Sequence, residues 1–150
     1  MSAICVDSVF LLGLYDERDQ YYARANELFV AYFNNTFNRL LVPWPVLYET
    51  VSTRLVRHQK SLALFERDWR RLTGRGQLIL LDDSPYRQAA IDECFSEARV
   101  QRRELRPLSL ADRVIRQVLG ETKIRVDVLI TFNVADFADV CSRLRLRLVS

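Results

Sequence analysis

The sequence predicts an α/β protein, a three-layer α/β/α sandwich around a mainly parallel central sheet. Short apolar runs alternate along the chain with longer segments whose apolar residues recur at helical spacing. Strands that alternate with helices require crossover connections, which make the sheet parallel and put helices on both of its faces. At 150 residues, without repeats or a Ser/Gly-rich linker, the chain reads as a single domain, 1–150, large enough to bury its own core.

The elements follow in order. "AICV" (3–6) is an apolar run suited to a central buried strand, and it leads into a short apolar helix, "SVFLLGL". In "RDQYYARANELFVAYFN" the apolar positions 21, 25, 28, 29, 32 and 33 trace one helical face. "RLLV" (39–42) is a second strand ended by Pro43, and Pro45 suits the first turn of a helix through "VLYETVSTRLV". "KSLALFERDWRRL" is a further helix closed by "TGRG", and "QLILL" (77–81) a third strand. Ser84 as N-cap and Pro85 at the first helical position open a helix over "SPYRQAAIDECFSEARVQR". Another helix follows from Ser109 to Gly120, then the strand "VDVLIT" (126–131) and a short helix, "FADVCSRL". "RLRLRLV" (143–149) alternates like an edge strand with a basic outer row.

Composition removes several function classes. Hydrophobic residues make up 49% of the chain, with four Gly and four Pro, so disorder is not expected. No run is long enough to cross a bilayer, and "MSAICVDSVF" lacks the pattern of a signal peptide, so a cytoplasmic protein is expected. Cys5, Cys94 and Cys141 are odd in number and widely spaced, which suits reduced thiols, and with one histidine a structural zinc site is not expected. His58 lies in the polar segment "RLVRHQK", so paired-histidine nucleases and Ser-His-Asp hydrolases find no support. Neither nucleotide-binding glycine motif occurs. The net charge of +3, from 22 basic and 19 acidic residues, permits a polyanionic partner without requiring one. An enzyme with this composition would work through carboxylates.

Four acids stand where the chain passes from strand to helix: Asp7, Glu49, Asp112 and Asp136. Each has a local structural explanation. Asp7 could cap the helix that starts at Ser8, Ser109 and Asp112 resemble a capping box, and Asp136 could cap "FADVCSRL". Glu49 could be an ordinary boundary residue beside Val46, Thr53 and Val56. None of these explains why all four are expected at the carboxyl ends of the strands, where open α/β sheets build their sites. Crowded carboxylates repel one another unless a cation joins them, and clustered oxygens favour Mg²⁺ or Mn²⁺. Such an ion supports hydrolysis of phosphodiesters.

The succession "VDSVFLL", "VPWPVLYETVS", "LSLADRVI" and "LITFNVADF" resembles the PIN-domain ribonucleases, particularly the VapC-like toxins of toxin–antitoxin pairs, over essentially the whole chain. The resemblance implies a PIN-like fold and a metal-dependent endoribonuclease with catalytic acids Asp7, Glu49, Asp112 and Asp136. The same positions and Asn133 would hold Mg²⁺ or Mn²⁺, with either Asn133 or Asp136 completing the quartet, and Ser8 and Thr131 would support them. It also implies a homodimer or higher assembly, an RNA substrate and an antitoxin partner.

Arg75, Arg102, Arg103 and Arg106 are the basic residues expected to carry RNA past the acids, and Tyr15, Trp44 and Tyr48 could stack on bases. A dehalogenase-type phosphatase would need a second aspartate where Val9 stands, and Lys60 and Lys123 sit poorly for a receiver domain. A structure-specific DNA nuclease is disfavoured by size. The principal alternative is a catalytically silent PIN-like module that binds RNA or protein.

Overall fold

The computed structural model describes residues 1–99 and 107–150. Arg102, Arg103 and Arg106 therefore lie outside the described residues. The strands are β1 (Ala3–Val6), β2 (Arg39–Pro43), β3 (Leu78–Leu81), β4 (Val128–Ile130) and β5 (Arg147–Val149). Between them run α1 (Ser8–Tyr15), α2 (Tyr22–Phe33), α3 (Trp44–Ser52), α4 (Gln59–Gly74), α5 (Arg87–Arg99), α6 (Leu110–Leu119) and α7 (Val134–Leu144).

All strand pairs are parallel, in the order β3-β2-β1-β4-β5. β1 is central and every one of its residues is buried, which explains its unbroken apolar run. From β1 the chain steps through β2 to β3 on one side, then returns to place β4 and β5 on the other. With right-handed crossovers this puts α1–α4 on one face and α5–α7 on the opposite face, in keeping with the α1–α2, α1–α3, α5–α6 and α6–α7 packing. The result is the expected three-layer sandwich. Its core joins Ile4, Phe10, Phe33, Leu129, Ile130 and Phe137 across the layers.

Local differences from the sequence expectation have simple causes. Ser84 does not cap a helix: the Asp82 carboxylate accepts its N–H (3.0 Å) and hydroxyl (2.6 Å), and Ser84–Tyr86 form one turn of 3₁₀ helix before α5. The expected strand over 143–149 is cut to Arg147–Val149, because α7 continues through Leu144 and ends on Arg145 in the left-handed region (φ 55°). α7 itself starts before Asp136, so that acid lies in its first turn and Asn133 holds the cap position. Most consequential for the site, among the described residues the element before α6 is the helix α5, so no described strand leads into Asp112.

Candidate active site

The reversal of strand order falls between β1 and β4, which is where an open parallel sheet leaves a crevice at its carboxyl end. Val6 pairs with Ile130 in the β1–β4 register, so the next residues, Asp7 and Thr131, emerge side by side. Both are buried: Asp7 is 2% exposed and Thr131 fully enclosed. The Thr131 hydroxyl donates to Asp7 Oδ2 and accepts the Asn133 N–H (2.9 Å). Asp7 Oδ1 accepts the Phe10 N–H (3.0 Å). Asp7 is thus the N-cap of α1, as its local explanation requires, and a buried acid at the crevice as well.

Burial pushes the Asp7 carboxyl up to about 6. The Thr131 and Phe10 hydrogen bonds oppose that rise, and the negative charges of Asp112 and Glu49 add to it. The structure therefore brings these three acids into one electrostatic neighbourhood although they come from separate parts of the chain. Glu49, on α3, is exposed and accepts the Ser8 hydroxyl at Oε2 (2.6 Å), which ties α3 to the start of α1. Asp112 is half-buried in the first turn of α6, where Ser109 accepts its N–H (3.1 Å), the N-cap read from the sequence. Asp136 is buried in the first turn of α7, its N–H bonded to the Asn133 carbonyl (3.1 Å). Asn133 is half-buried at the helix entrance.

The donors at this end of the sheet are hard oxygens, which suit Mg²⁺ or Mn²⁺. Among the described residues no three acids come close enough to form a ready-made metal cage. Mg²⁺ does not need one, since it retains waters and uses one or two carboxylates with substrate phosphate oxygens. The Asp7 carboxylate, destabilised by burial and by like charges, fits such an ion.

Other expected residues lie elsewhere. Arg75 caps the C-terminus of α4 just before β3 begins, at the opposite end of the sheet from Asp7. Tyr15 is not free to stack on a base, because it is 7% exposed and donates its hydroxyl to Asp68 (3.1 Å). Trp44 and Tyr48 pack against each other with ring centroids 5.8 Å apart, and Tyr48 is 66% exposed. His58 contacts the Arg18 guanidinium, near Tyr15 at the far end of α1.

Two features had no sequence signal because they join distant elements. A groove of about 640 Å³ runs beside Glu49 between α3, α5 and α6, with Tyr48, Ile91 and Leu110 on its apolar walls and the Arg87–Asp83 pair (2.8 Å) at its edge. The other feature is a fork from Arg116 to α7. Its Nη1 donates to the Asp136 carbonyl (2.9 Å) and Asp139 Oδ1 (2.7 Å), and its Nη2 to Asp139 Oδ2 (2.6 Å). The Arg116 hydrogen bonds hold the Asp139 carboxyl down at about 2.

No family model matches the sequence, and no curated protein matches it. Solved structures do. VapC20 from Mycobacterium tuberculosis, a Sarcin-Ricin loop cleaving toxin, aligns over 91% of this chain and 94% of its own, with a TM-score of 0.62 at 18% identity. The fold is PIN-like, that of the VapC toxins. VapBC2 from Rickettsia felis, solved bound to a DNA fragment from their promoter, aligns over 98% of this chain and 97% of that one, with a TM-score of 0.55 at 18% identity. Both alignments cover nine-tenths or more of each chain, so the likeness is one of the fold as a whole.

Proposed function

We propose that this chain is a metal-dependent endoribonuclease, the toxin of a type II toxin–antitoxin pair. The observation that carries the reading is Asp7: a buried carboxylate, hydrogen-bonded by Thr131 and Phe10 and sharing its field with Asp112 and Glu49, at the switch point of a VapC-like sheet. A bound Mg²⁺ or Mn²⁺ would supply positive charge at the scissile phosphate and make water a better nucleophile.

The side chains of this chain divide the remaining work. Asp7 and Asp112 would be the principal ligands of the ion, and Asp7 is held in one orientation by its two hydrogen bonds. Glu49, steadied by Ser8, and Asp136 or Asn133 orient water, and a carboxylate takes its proton as the oxygen attacks phosphorus in line. The new O–P bond forms as the P–O3′ bond breaks, and the departing O3′ takes a proton from solvent water, leaving a 5′-phosphate and a 3′-hydroxyl. Because Glu49 lines the groove beside Tyr48, the RNA flanking the cut runs along it, with Tyr48 available for stacking.

The same reading assigns an antitoxin partner, which the VapBC2 assembly supports by analogy. It also carries a homodimer and a cytoplasmic location as expectations of the family resemblance. Among the described residues no helix is long and apolar enough to cross a membrane.

A second reading, a silent RNA- or protein-binding module, is favoured by one observation: the described acids do not form a closed metal cage. Incubation of single-stranded RNA with the protein in Mn²⁺, Mg²⁺ or chelator separates the two. Cleavage that needs the ion and is lost in Asp7→Asn supports the nuclease. RNA binding without cleavage in any ion supports the module.

A further inference from the structure

Three of the four acids are placed by strand ends. Asp7 follows β1 directly, Glu49 lies on the helix that continues from β2, and Asp136 is in the first turn after β4. No described strand end places Asp112: among the described residues the element before α6 is α5. The buried Val114, Ile115, Val118 and Leu119 press α6 onto the sheet, and hydrogen bonds to its neighbours add directional ties.

Arg116 lies one turn along α6 from Asp112 and on the same side of the helix. Its fork grips α7 at two levels, the Asp136 carbonyl in the first turn and the Asp139 carboxylate one turn later. The start of α7 is fixed in turn to the sheet through Thr131, which accepts the Asn133 N–H and donates to Asp7. A continuous run of hydrogen bonds thus leads from Asp7 through Thr131, Asn133 and Asp136 to Arg116, and along one helical turn to Asp112. The Arg116 side chain is 19% exposed, and its part-buried bond to the Asp136 carbonyl is sheltered from salt, while the Asp139 carboxylate faces solvent. Lysine cannot reproduce it, since an ammonium does not present the planar fork that engages both carboxylate oxygens and a carbonyl together.

We propose that Arg116 is a positioning residue for the carboxylate site: by clamping α6 to the start of α7 it holds Asp112 at working distance from Asp7. The assignment rests on the nuclease reading above and names the device that completes its ligand set. A residue that only stabilises the fold would change the melting temperature and leave metal dependence alone. A positioning residue changes metal dependence in protein that remains folded.

The test compares Arg116→Gln, Arg116→Lys, Asp139→Asn and a charge control, Arg70→Gln, whose native partner Glu66 lies within α4. Each is melted without Mn²⁺ to establish folding and over a range of Mn²⁺ concentrations to read ion binding from the rise in melting temperature, then assayed on a single-stranded RNA over the same range. In Arg116→Gln the half-saturating Mn²⁺ rises roughly 10- to 100-fold, the usual cost of losing a group that orients a ligand. The kcat falls and the KM for RNA stays within about twofold, well short of the factor of 10 that corresponds to 1.4 kcal/mol of binding. Asp139→Asn shifts the same way by less, because the Asp136 carbonyl contact survives, and Arg116→Lys does not restore the wild-type value. Arg70→Gln matches the wild type.

A folded Arg116→Gln protein with wild-type Mn²⁺ half-saturation overturns the proposal, as does full rescue by lysine. If Arg116→Gln does not fold, Asp139→Asn decides, since its side chain is exposed: an unchanged Mn²⁺ requirement overturns the assignment. Absence of Mn²⁺-dependent cleavage in the wild type removes the nuclease reading itself, and that result is distinct because it appears before any variant is compared.

Discussion

Thr131 donates its hydroxyl to Asp7 across the β1–β4 seam and accepts the Asn133 N–H with the same oxygen. One buried hydroxyl therefore orients the carboxylate and fixes the backbone where the chain enters α7. Thr131→Val keeps the shape and removes both bonds, leaving a buried acceptor and an N–H without their partner. Unfolding in urea at pH 7 should show a loss of about 1–3 kcal/mol. The Asp7 carboxyl should rise above about 6, because the Thr131 bond is the largest influence holding it down.

Asp7 predicts a stability profile with a definite sign. In chelator the folded protein binds its Asp7 proton up to about pH 6, whereas the unfolded chain releases it near the ordinary value of 3.8. Between those values the native state holds more protons, so stability falls as pH rises, by about 3 kcal/mol in all at 1.36 kcal/mol per pKa unit. Asp7→Asn lacks this loss. Melting curves should show the variant gaining on the wild type from pH 4 to pH 7 and the difference levelling above that. A constant difference across the range would contradict the burial of an ionisable Asp7.

The Ser8–Glu49 bond is exposed, and its worth should lie in the site more than in the fold. Ser8→Ala and Glu49→Gln should each change stability by no more than about 0.5 kcal/mol, as surface substitutions do. Both should lower Mn²⁺-dependent RNA cleavage, Glu49→Gln the more strongly. Denaturation and single-turnover cleavage on the same preparations check the two halves of this expectation.

The cysteines should behave as structure and not as chemistry. Burial pushes the Cys5 thiol up to about 12, and Cys141 is also buried and raised. Cys94 is half-buried on α5. A thiol reagent at pH 8 should label Cys94 in the native protein and reach Cys5 and Cys141 only after unfolding. Loss of RNA cleavage on labelling Cys94 would place it nearer the site than its position on α5 indicates.

The parts of the molecule that local sequence determines could be read from it. "AICV" has no polar face because β1 is covered on both sides, and the N-cap at Ser109 is a bond between residues three apart. The proximity of Asp7 and Glu49 follows from strand and helix order alone once the sheet is parallel. The arginine–leucine alternation after Cys141 misled, because a period of two does not reveal where a helix stops. α7 takes Arg143 and Leu144, and the left-handed Arg145 makes the break. Partners far apart in sequence gave no signal. Tyr15 meets Asp68 fifty-three positions later, and Arg116 meets Asp139 only because α6 and α7 pack side by side. Arg75 was grouped by charge with the arginines of 102–106, but its place before β3 puts it at the other end of the sheet.

The central claim is that Asp7 belongs to a divalent-cation site, and the most direct measurement is the Mn²⁺ dependence of thermal stability in wild-type and Asp7→Asn protein at pH 7.5. Binding at one hundred times the dissociation constant stabilises a folded protein by about 2.7 kcal/mol. The account predicts stabilisation of that order, read as a rise in melting temperature, in the wild type and little or none in the variant. Equal responses in the two proteins, or none in either, would contradict it.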